Sequence, residues 1–281
     1  MIIDTALQPD GAISDRAFQY GDACFTTMAF RNGSIAHLPA HLNRMQTACE
    51  RLKIPFTDWQ RLEQHLADLA INEEQKVVKL IISRGSGGRG YGIQGADSPV
   101  AYLSQHPMPA HYAQLQQDGV HVGLSPIQLG HQPLLAGLKH NNRLEQVLIK
   151  ADPASANFDD VLVTDIQGML VEASAANLIW CQNGCWFSPD LSLCGVEGIM
   201  KGVVSNWLAS HGKTLHQVRA MPSVLQNAEA VFITNALMGV IPVREFTCES
   251  NSYRWIPAQA NALLQDFQQY LTEQTQSGAG D

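Results

Sequence analysis

The sequence predicts an α+β chain built as two domains, on three observations. In roughly the first hundred residues, apolar strand-like runs alternate with two amphipathic helix-like ones. His106-Pro107-Met108-Pro109 then breaks the pattern, and two prolines this close read as a stiff connector. Beyond it come strand pairs joined by tight turns, Gln167-Gly168 and Asn183-Gly184 among them. The expected division is a domain over residues 1–106, a linker over 107–118 and a second domain over 119–281. A chain of 281 residues has length enough for two layered domains or for one large one.

Taken in order, residues 2–36 read as short strands and turns, punctuated at Ser14-Asp15-Arg16 and Gly21-Asp22. Cys24–Phe30 is a strand that turns back at Asn32-Gly33 towards Ser34-Ile35-Ala36. Strand alternation puts Phe25 and Thr27 on one face and Thr26 on the other. A threonine here is either a good strand former or a hydroxyl that shuttles a proton in a pocket. Pro39 opens a helix carrying His41, Leu42, Arg44, Met45, Ala48 and Leu52, and Pro55 closes it. His41 and Arg44, three apart, share a helical face. An arginine near a helix start runs against the dipole, so either a nearby acid or a bound phosphate balances it. Trp59–Ala70 is a second amphipathic helix with Leu62, Leu66, Leu69 and Ala70 inward.

Val77–Ser83 is a buried strand that leads into the glycine-rich stretch Arg84–Gly92. That stretch lacks the Gly-Lys-Ser/Thr ending of a P-loop, and no helix pattern follows it, which argues against phosphate binding there. It is either a mobile surface loop or one that presents Arg84, Arg89 and Tyr91 to carboxylates of a ligand. Val100–Ser104 is the last strand before the prolines.

The second half opens with a strand at His121–Ser125. Leu138-Lys139-His140-Asn141-Asn142-Arg143 follows the turn-like Ala136-Gly137 and leads into a helix, Leu144–Ala151. Most lysines are solvated charges, but one whose surroundings favour the free amine attacks carbonyls. Asp160–Asp165 and Met169–Glu172 form one hairpin, and Asn177–Gln182 with Cys185–Ser188 another. Glu172, set among Val171, Ala173, Ser174, Ala175 and Ala176, is poorly housed without a cationic partner. Gly195–Gly202 leads into an apolar helix whose first turn offers free backbone N–H groups, a seat for phosphate. Ala230–Ile233 runs into a turn through Asn235-Ala236-Leu237-Met238-Gly239, and Arg254–Leu271 reads as a closing helix with a frayed tail from Glu273.

Composition narrows the function classes. An apolar fraction of 45% is ordinary for a globular chain, and a net charge of −8 argues against a nucleic-acid partner. No apolar run reaches the length of a membrane span. The six cysteines show no metal-ligand spacing, so no metal site is expected. With no signal peptide, they read as reduced thiols in a cytoplasmic enzyme.

Seven stretches, in order, carry a resemblance: Gly-Asp-Ala-Cys-Phe-Thr-Thr (21–27), His-Leu-Asn-Arg (41–44), Ser-Arg-Gly-Ser-Gly-Gly-Arg-Gly-Tyr (83–91), Leu-Lys-His-Asn-Asn-Arg-Leu-Glu-Gln-Val-Leu (138–148), Glu-Ala-Ser-Ala-Ala-Asn-Leu (172–178), Gly-Ile-Met-Lys (198–201) and Asn-Ala-Leu-Met (235–238). Over nearly the whole chain it resembles the fold-type IV family of pyridoxal-phosphate enzymes, and within it the lyases that act on aminodeoxychorismate. The resemblance implies a smaller N-terminal α/β domain, a larger β-barrel-like C-terminal domain with helices, and a homodimer with its site between domains. It implies that Lys139 holds pyridoxal 5'-phosphate and then serves as base, that Glu172 pairs with the pyridine nitrogen, and that Arg44 binds the phosphate. By the same resemblance, backbone N–H groups of Ile199, Met200, Ala236 and Leu237 would complete the phosphate cup, with Asn177 in support, and Thr27 would deliver a proton to the leaving enolpyruvyl group. The reaction implied converts 4-amino-4-deoxychorismate to 4-aminobenzoate and pyruvate in folate biosynthesis; Arg84, Arg89 and Tyr91 are the candidates for the substrate's carboxylates.

Departures bear on this expectation. Lys201 stands where many relatives carry arginine, Ala236 where aminotransferases of the family offer threonine, and Thr27 where branched-chain aminotransferases show glycine. These favour a lyase over the rival reading, a D-amino-acid or branched-chain aminotransferase. A second rival is a cofactor-free protein that binds a phosphate or nucleotide.

Overall fold

The computed structural model describes residues 2–4, 14–31, 33–71, 75–267 and 269–271. Asn32 of the expected turn and the tail from Glu273 lie outside these residues. Two compact units divide the chain: Met1–Met108 with Leu138–Asn142, and Pro109–Gly137 with Arg143–Asp281. The short stretch around Lys139 thus groups with the first unit, although the chain on both sides of it belongs to the second.

The first unit is a five-stranded sheet, in the order β1 (Ile2–Asp4), β5 (Val100–Pro107), β4 (Gln75–Ser83), β2 (Ala23–Arg31), β3 (Ser34–Ile35). Three helices accompany it: α1 (Arg16–Tyr20), α2 (Leu38–Leu52) and α3 (Trp59–Ala70). Helix α1 stands where strands and turns were expected. Asp15 caps it by accepting from the Ala17 N–H, and Gly21, left-handed at φ 65°, ends it. Proline in the first turn starts α2 with no loss of a hydrogen bond, and Lys53 in the left-handed region stops it. Leu62, Leu66 and Ala70 of α3 are buried as the spacing requires, while Leu69 is only half-buried. Along β2 the buried side chains include Cys24, Thr26 and Met28, against half-buried Phe25 and Thr27 on the opposite face.

The second unit is a curled mixed sheet of nine strands. Its order is β11 (Leu215–Val218), β10 (Cys185–Pro189), β9 (Asn177–Gln182), β12 (Ala230–Asn235), β13 (Gly239–Cys248), β6 (Val120–Leu124), β7 (Asp160–Thr164), β8 (Leu170–Ala173), with β14 (Asn251–Arg254) paired to β13. Asn183 and Gly184 both take positive φ, as the β9–β10 hairpin turn demands. One core gathers Val122, Leu162, Leu178, Trp180, Ile241 and Phe246. Another packs Trp186 and Phe232 against Val204, Trp207 and Leu208 of α6 (Ile199–Ser210). Two expectations are corrected here. The residues read as a linker hold helix α4 (Tyr112–Asp118), and the closing helix starts at Pro257, not Arg254, since Arg254 ends β14 and Pro257 sets the first turn; α7 is Pro257–Leu263, and residues 265–267 and 269–271 are helical again. Helix α5 (Leu144–Ala151) follows the lysine stretch. Among the described residues no helix is long and apolar enough to cross a membrane.

Candidate active site

In the first unit, strand β2 organises several of the candidate side chains. Its outer edge is covered by β3 only at Phe30 and Arg31, which leaves main-chain groups nearer its start to pair elsewhere. The lysine stretch takes them. Phe25 N–H donates to the Lys139 carbonyl at 2.9 Å, and Asn141 N–H to the Ala23 carbonyl at 2.9 Å. Asn142 closes the far end through Nδ2 to the Gly21 carbonyl at 3.3 Å, and a side chain at 21 would collide with it. So fixed, Lys139 places its Nζ 4.8 Å from the centroid of the Phe25 ring. Thr27 lies two residues on from Phe25, on the same face.

A second amine shares that ring. Lys79 on β4 pairs in register with Thr27, and its Nζ is also 4.8 Å from the Phe25 centroid. Lys79 is not among the residues expected at the site; its signal in the sequence is a single charge in the apolar run Val77–Ile82. On the other face of β2, Thr26 Oγ1 and His41 Nδ1 of α2 are 2.6 Å apart, both buried. Arg44, one turn further along α2, is half-buried.

The glycine-rich loop corrects one expectation. Arg84 is buried, and its guanidinium donates to both Asp22 oxygens and to the carbonyls of Leu52 and Lys53. It holds the sheet to the end of α2, and a role in gripping substrate carboxylates is withdrawn for it. Arg16, noted in the sequence only as punctuation, does matching work: Nε donates to Asp22, and one terminal nitrogen to the carbonyls of Gly87, Gly90 and Gly92. Burial pushes the Asp22 carboxyl up, but hydrogen bonds and charge from Arg84 and Arg16 outweigh it and hold the group below its usual range. Arg89 and Tyr91 stay exposed on this anchored loop, Tyr91 edge-on to Tyr20 at 5.5 Å.

In the second unit, Glu172 at the end of β8 is buried, and its Oε2 accepts from the Val196 N–H at 3.0 Å. Asn177, at the start of β9 and also buried, donates to the Val196 carbonyl at 2.8 Å. One residue is thus clamped on both its polar groups. A Cβ at Gly198 would fall 1.7 Å from Asn177 Oδ1, so only glycine fits there. Gly198 then opens α6 with no side-chain cap, and the first bond of the helical ladder runs from Gly202 to Gly198. The amides of Ile199 and Met200 precede that bond, which suits an anion. Lys201 turns to Glu197 at 2.8 Å, an ion pair within the same turn of chain. In the β12–β13 turn, Asn235 Oδ1 accepts from the amides of Leu237 and Met238. Leu237 was expected to offer its N–H to phosphate; that group is already committed, which leaves Ala236 as the candidate in this turn. Arg143 carries the charges of Glu172 and Glu145 nearby, though burial dominates and pulls its pKa down.

The first unit thus seats a lysine beside a threonine-bearing strand, and the second holds a buried, clamped acid and an uncapped helix start. Residues 23–246 match the class IV amino-transferase family, and the chain belongs to it. The family depends on pyridoxal 5'-phosphate. The chain is 39% identical to aminodeoxychorismate lyase of Vibrio harveyi, over 85% of this chain and 88% of that one. It is similar to the crystal structure of 4-amino-4-deoxychorismate lyase from Pseudomonas aeruginosa, with a TM-score of 0.83 and 35% identity, covering 90% of this chain and 94% of that one. The fold also matches a hypothetical aminotransferase from Mycobacterium tuberculosis in its PLP-bound form, with a TM-score of 0.75 and 18% identity over 92% of this chain and 96% of that one.

Proposed function

We propose that this chain is a pyridoxal-phosphate-dependent aminodeoxychorismate lyase, converting 4-amino-4-deoxychorismate to 4-aminobenzoate and pyruvate. The observation that carries the reading is Lys139, stitched beside β2 with its Nζ over the Phe25 ring, on the strand face that Thr27 shares. Likeness to two lyases supports it. When bound, pyridoxal 5'-phosphate supplies an electron sink for the pair left when the substrate's C4 proton is removed. Lys139 would hold that group, and its Nζ, once free, would take the C4 proton. Glu172, held by Val196, keeps a proton on the pyridine nitrogen. Arg44 and the amides of Ile199, Met200 and Ala236 hold the phosphate. Asn177 fixes the chain entering α6. Thr27 Oγ1 hands a proton to the enolpyruvyl fragment, which leaves as pyruvate while the ring aromatises. Arg89 and Tyr91, exposed on a loop that Arg16 anchors, meet the substrate's carboxylates, and Lys79 adds a cation on the Phe25 face. The donor types suit the cofactor: a base and an arginine in the first unit, a buried acid and amides that precede the first ladder bond of α6 in the second.

The enzyme works in the cytoplasm as a homodimer in this reading. Support for a second copy comes from Leu144, Val147 and Leu148, exposed at i, i+3 and i+4 on α5. The test supplies aminodeoxychorismate with no amino acceptor and follows both products. Equimolar 4-aminobenzoate and pyruvate are expected. Silence there, with amino transfer to a keto acid instead, would make the chain an aminotransferase.

A further inference from the structure

Beneath the reactive face of β2 sits a polar pair that the reaction does not touch. Thr26 is 0% exposed and His41 1%, and their Oγ1–Nδ1 separation is 2.6 Å. The other ring nitrogen of His41, also buried, has no hydrogen-bond partner among the described residues. Burial, then the charges of Arg44 and His37, push the His41 pKa well down, so the ring is neutral. Such a pair is a poor device for stability. Two apolar side chains of similar shape would fill the space and leave no nitrogen orphaned.

Its position suggests another use. Thr26 shares a peptide bond with Thr27, whose side chain stands on the opposite face, towards the Phe25 ring. His41 shares a helical face with Arg44, one turn along α2. A short hydrogen bond between Thr26 and His41 therefore sets the height of β2 against α2. With it, the bond sets the Thr27 hydroxyl relative to the Arg44 guanidinium. Packing alone would tolerate slip between a strand and a helix; a directional bond tolerates far less.

We infer that His41 is a positioning residue that acts through Thr26 to fix the Thr27 hydroxyl and the Arg44 guanidinium in register with one another. The inference rests on the roles given above to Thr27 and Arg44. It assigns His41 no contact with substrate or cofactor.

The full-length protein is compared as wild type, His41→Leu, Thr26→Val, the double variant and His41→Asn. Asparagine puts a hydrogen-bonding amide where Nδ1 lies, whichever partner donates. The readouts are kcat and KM for pyruvate release, cofactor Kd by absorbance titration of the stripped protein, and the thermal midpoint. His41→Leu and Thr26→Val should each lower kcat by about tenfold to a hundredfold with KM little changed. Each should raise cofactor Kd several-fold, and the double variant should be no worse than either single. Its thermal midpoint should equal or exceed that of wild type, because the polar pair is gone. His41→Asn should recover most of kcat and Kd. A kcat and Kd within about twofold of wild type in both single variants would overturn the inference, as would an asparagine variant no better than the leucine one. If wild type itself releases no pyruvate, the lyase reading fails separately. Cofactor Kd then decides alone: raised by leucine and valine and restored by asparagine, it sustains the role of His41; unmoved, it overturns it.

Discussion

The edge of β2 and the approach to α6 hold their functional groups in opposite ways. At β2 it is the main chain that is pinned, and the side chains of Thr27 and Lys139 stay half-buried. At α6 the side chains themselves are buried and bonded: Glu172 and Asn177 grip the two polar groups of Val196. Groups that move protons need a rigid backbone beneath them, whereas groups that hold charge in place need every lone pair answered. On the proposed reading, the difference separates the chemistry from the holding of the cofactor.

Thr27→Val breaks the first half of that comparison with the largest effect. It removes the hydroxyl and keeps the strand, so kcat for pyruvate release should fall by about a hundredfold or more while KM and cofactor Kd hold. Loss of cofactor affinity instead would put Thr27 on the holding side. Arg84→Ala and Arg89→Ala sharpen the contrast within one loop. The first strips the half-buried Asp22 of one cation and should lower unfolding free energy in denaturant titration by about 3 kcal/mol, with KM unchanged in the folded enzyme. The second should leave stability alone and raise KM about tenfold, as expected of an exposed cation that meets a carboxylate.

A smaller effect tests a buried acid away from the chemistry. Asp165 is buried, and despite that burial its hydrogen bonds from His131, Met169, Arg219 and Gln167 lower its pKa to about 2. Because the folded value lies below the ordinary one, its stabilisation is complete above about pH 4 and disappears as pH falls towards 2. Wild type should lose about 2 kcal/mol over that window on this account, and Asp165→Asn should show a shallower acid limb in denaturant titrations. Parallel acid limbs would contradict the assignment.

How much the sequence revealed follows the same division. Helix α3 was legible to the residue because apolar spacing alone sets it, and the β9–β10 turn because Asn183-Gly184 has few other conformations to adopt. The buried acid at 172 was legible because nothing near it in sequence could neutralise it. Arg84 was misread: its fate depends on Asp22 and on carbonyls at 52 and 53, and no periodicity links residues so far apart. Leu237 was misread for a local reason, since the Asn235 side chain competes for its amide. Lys79 was overlooked because its place beside Phe25 comes from strand register, which the sequence of one strand does not specify.

Lys79 also supplies the hardest control for the central claim, because its amine lies as far from the Phe25 ring as that of Lys139. The protein loaded with pyridoxal 5'-phosphate is reduced with borohydride, digested and mapped by mass spectrometry. A single pyridoxyl mark on Lys139, absent from Lys139→Ala, is the predicted result. A mark on Lys79, or an equal mark on both amines, would contradict the assignment of Lys139 as the anchor and base.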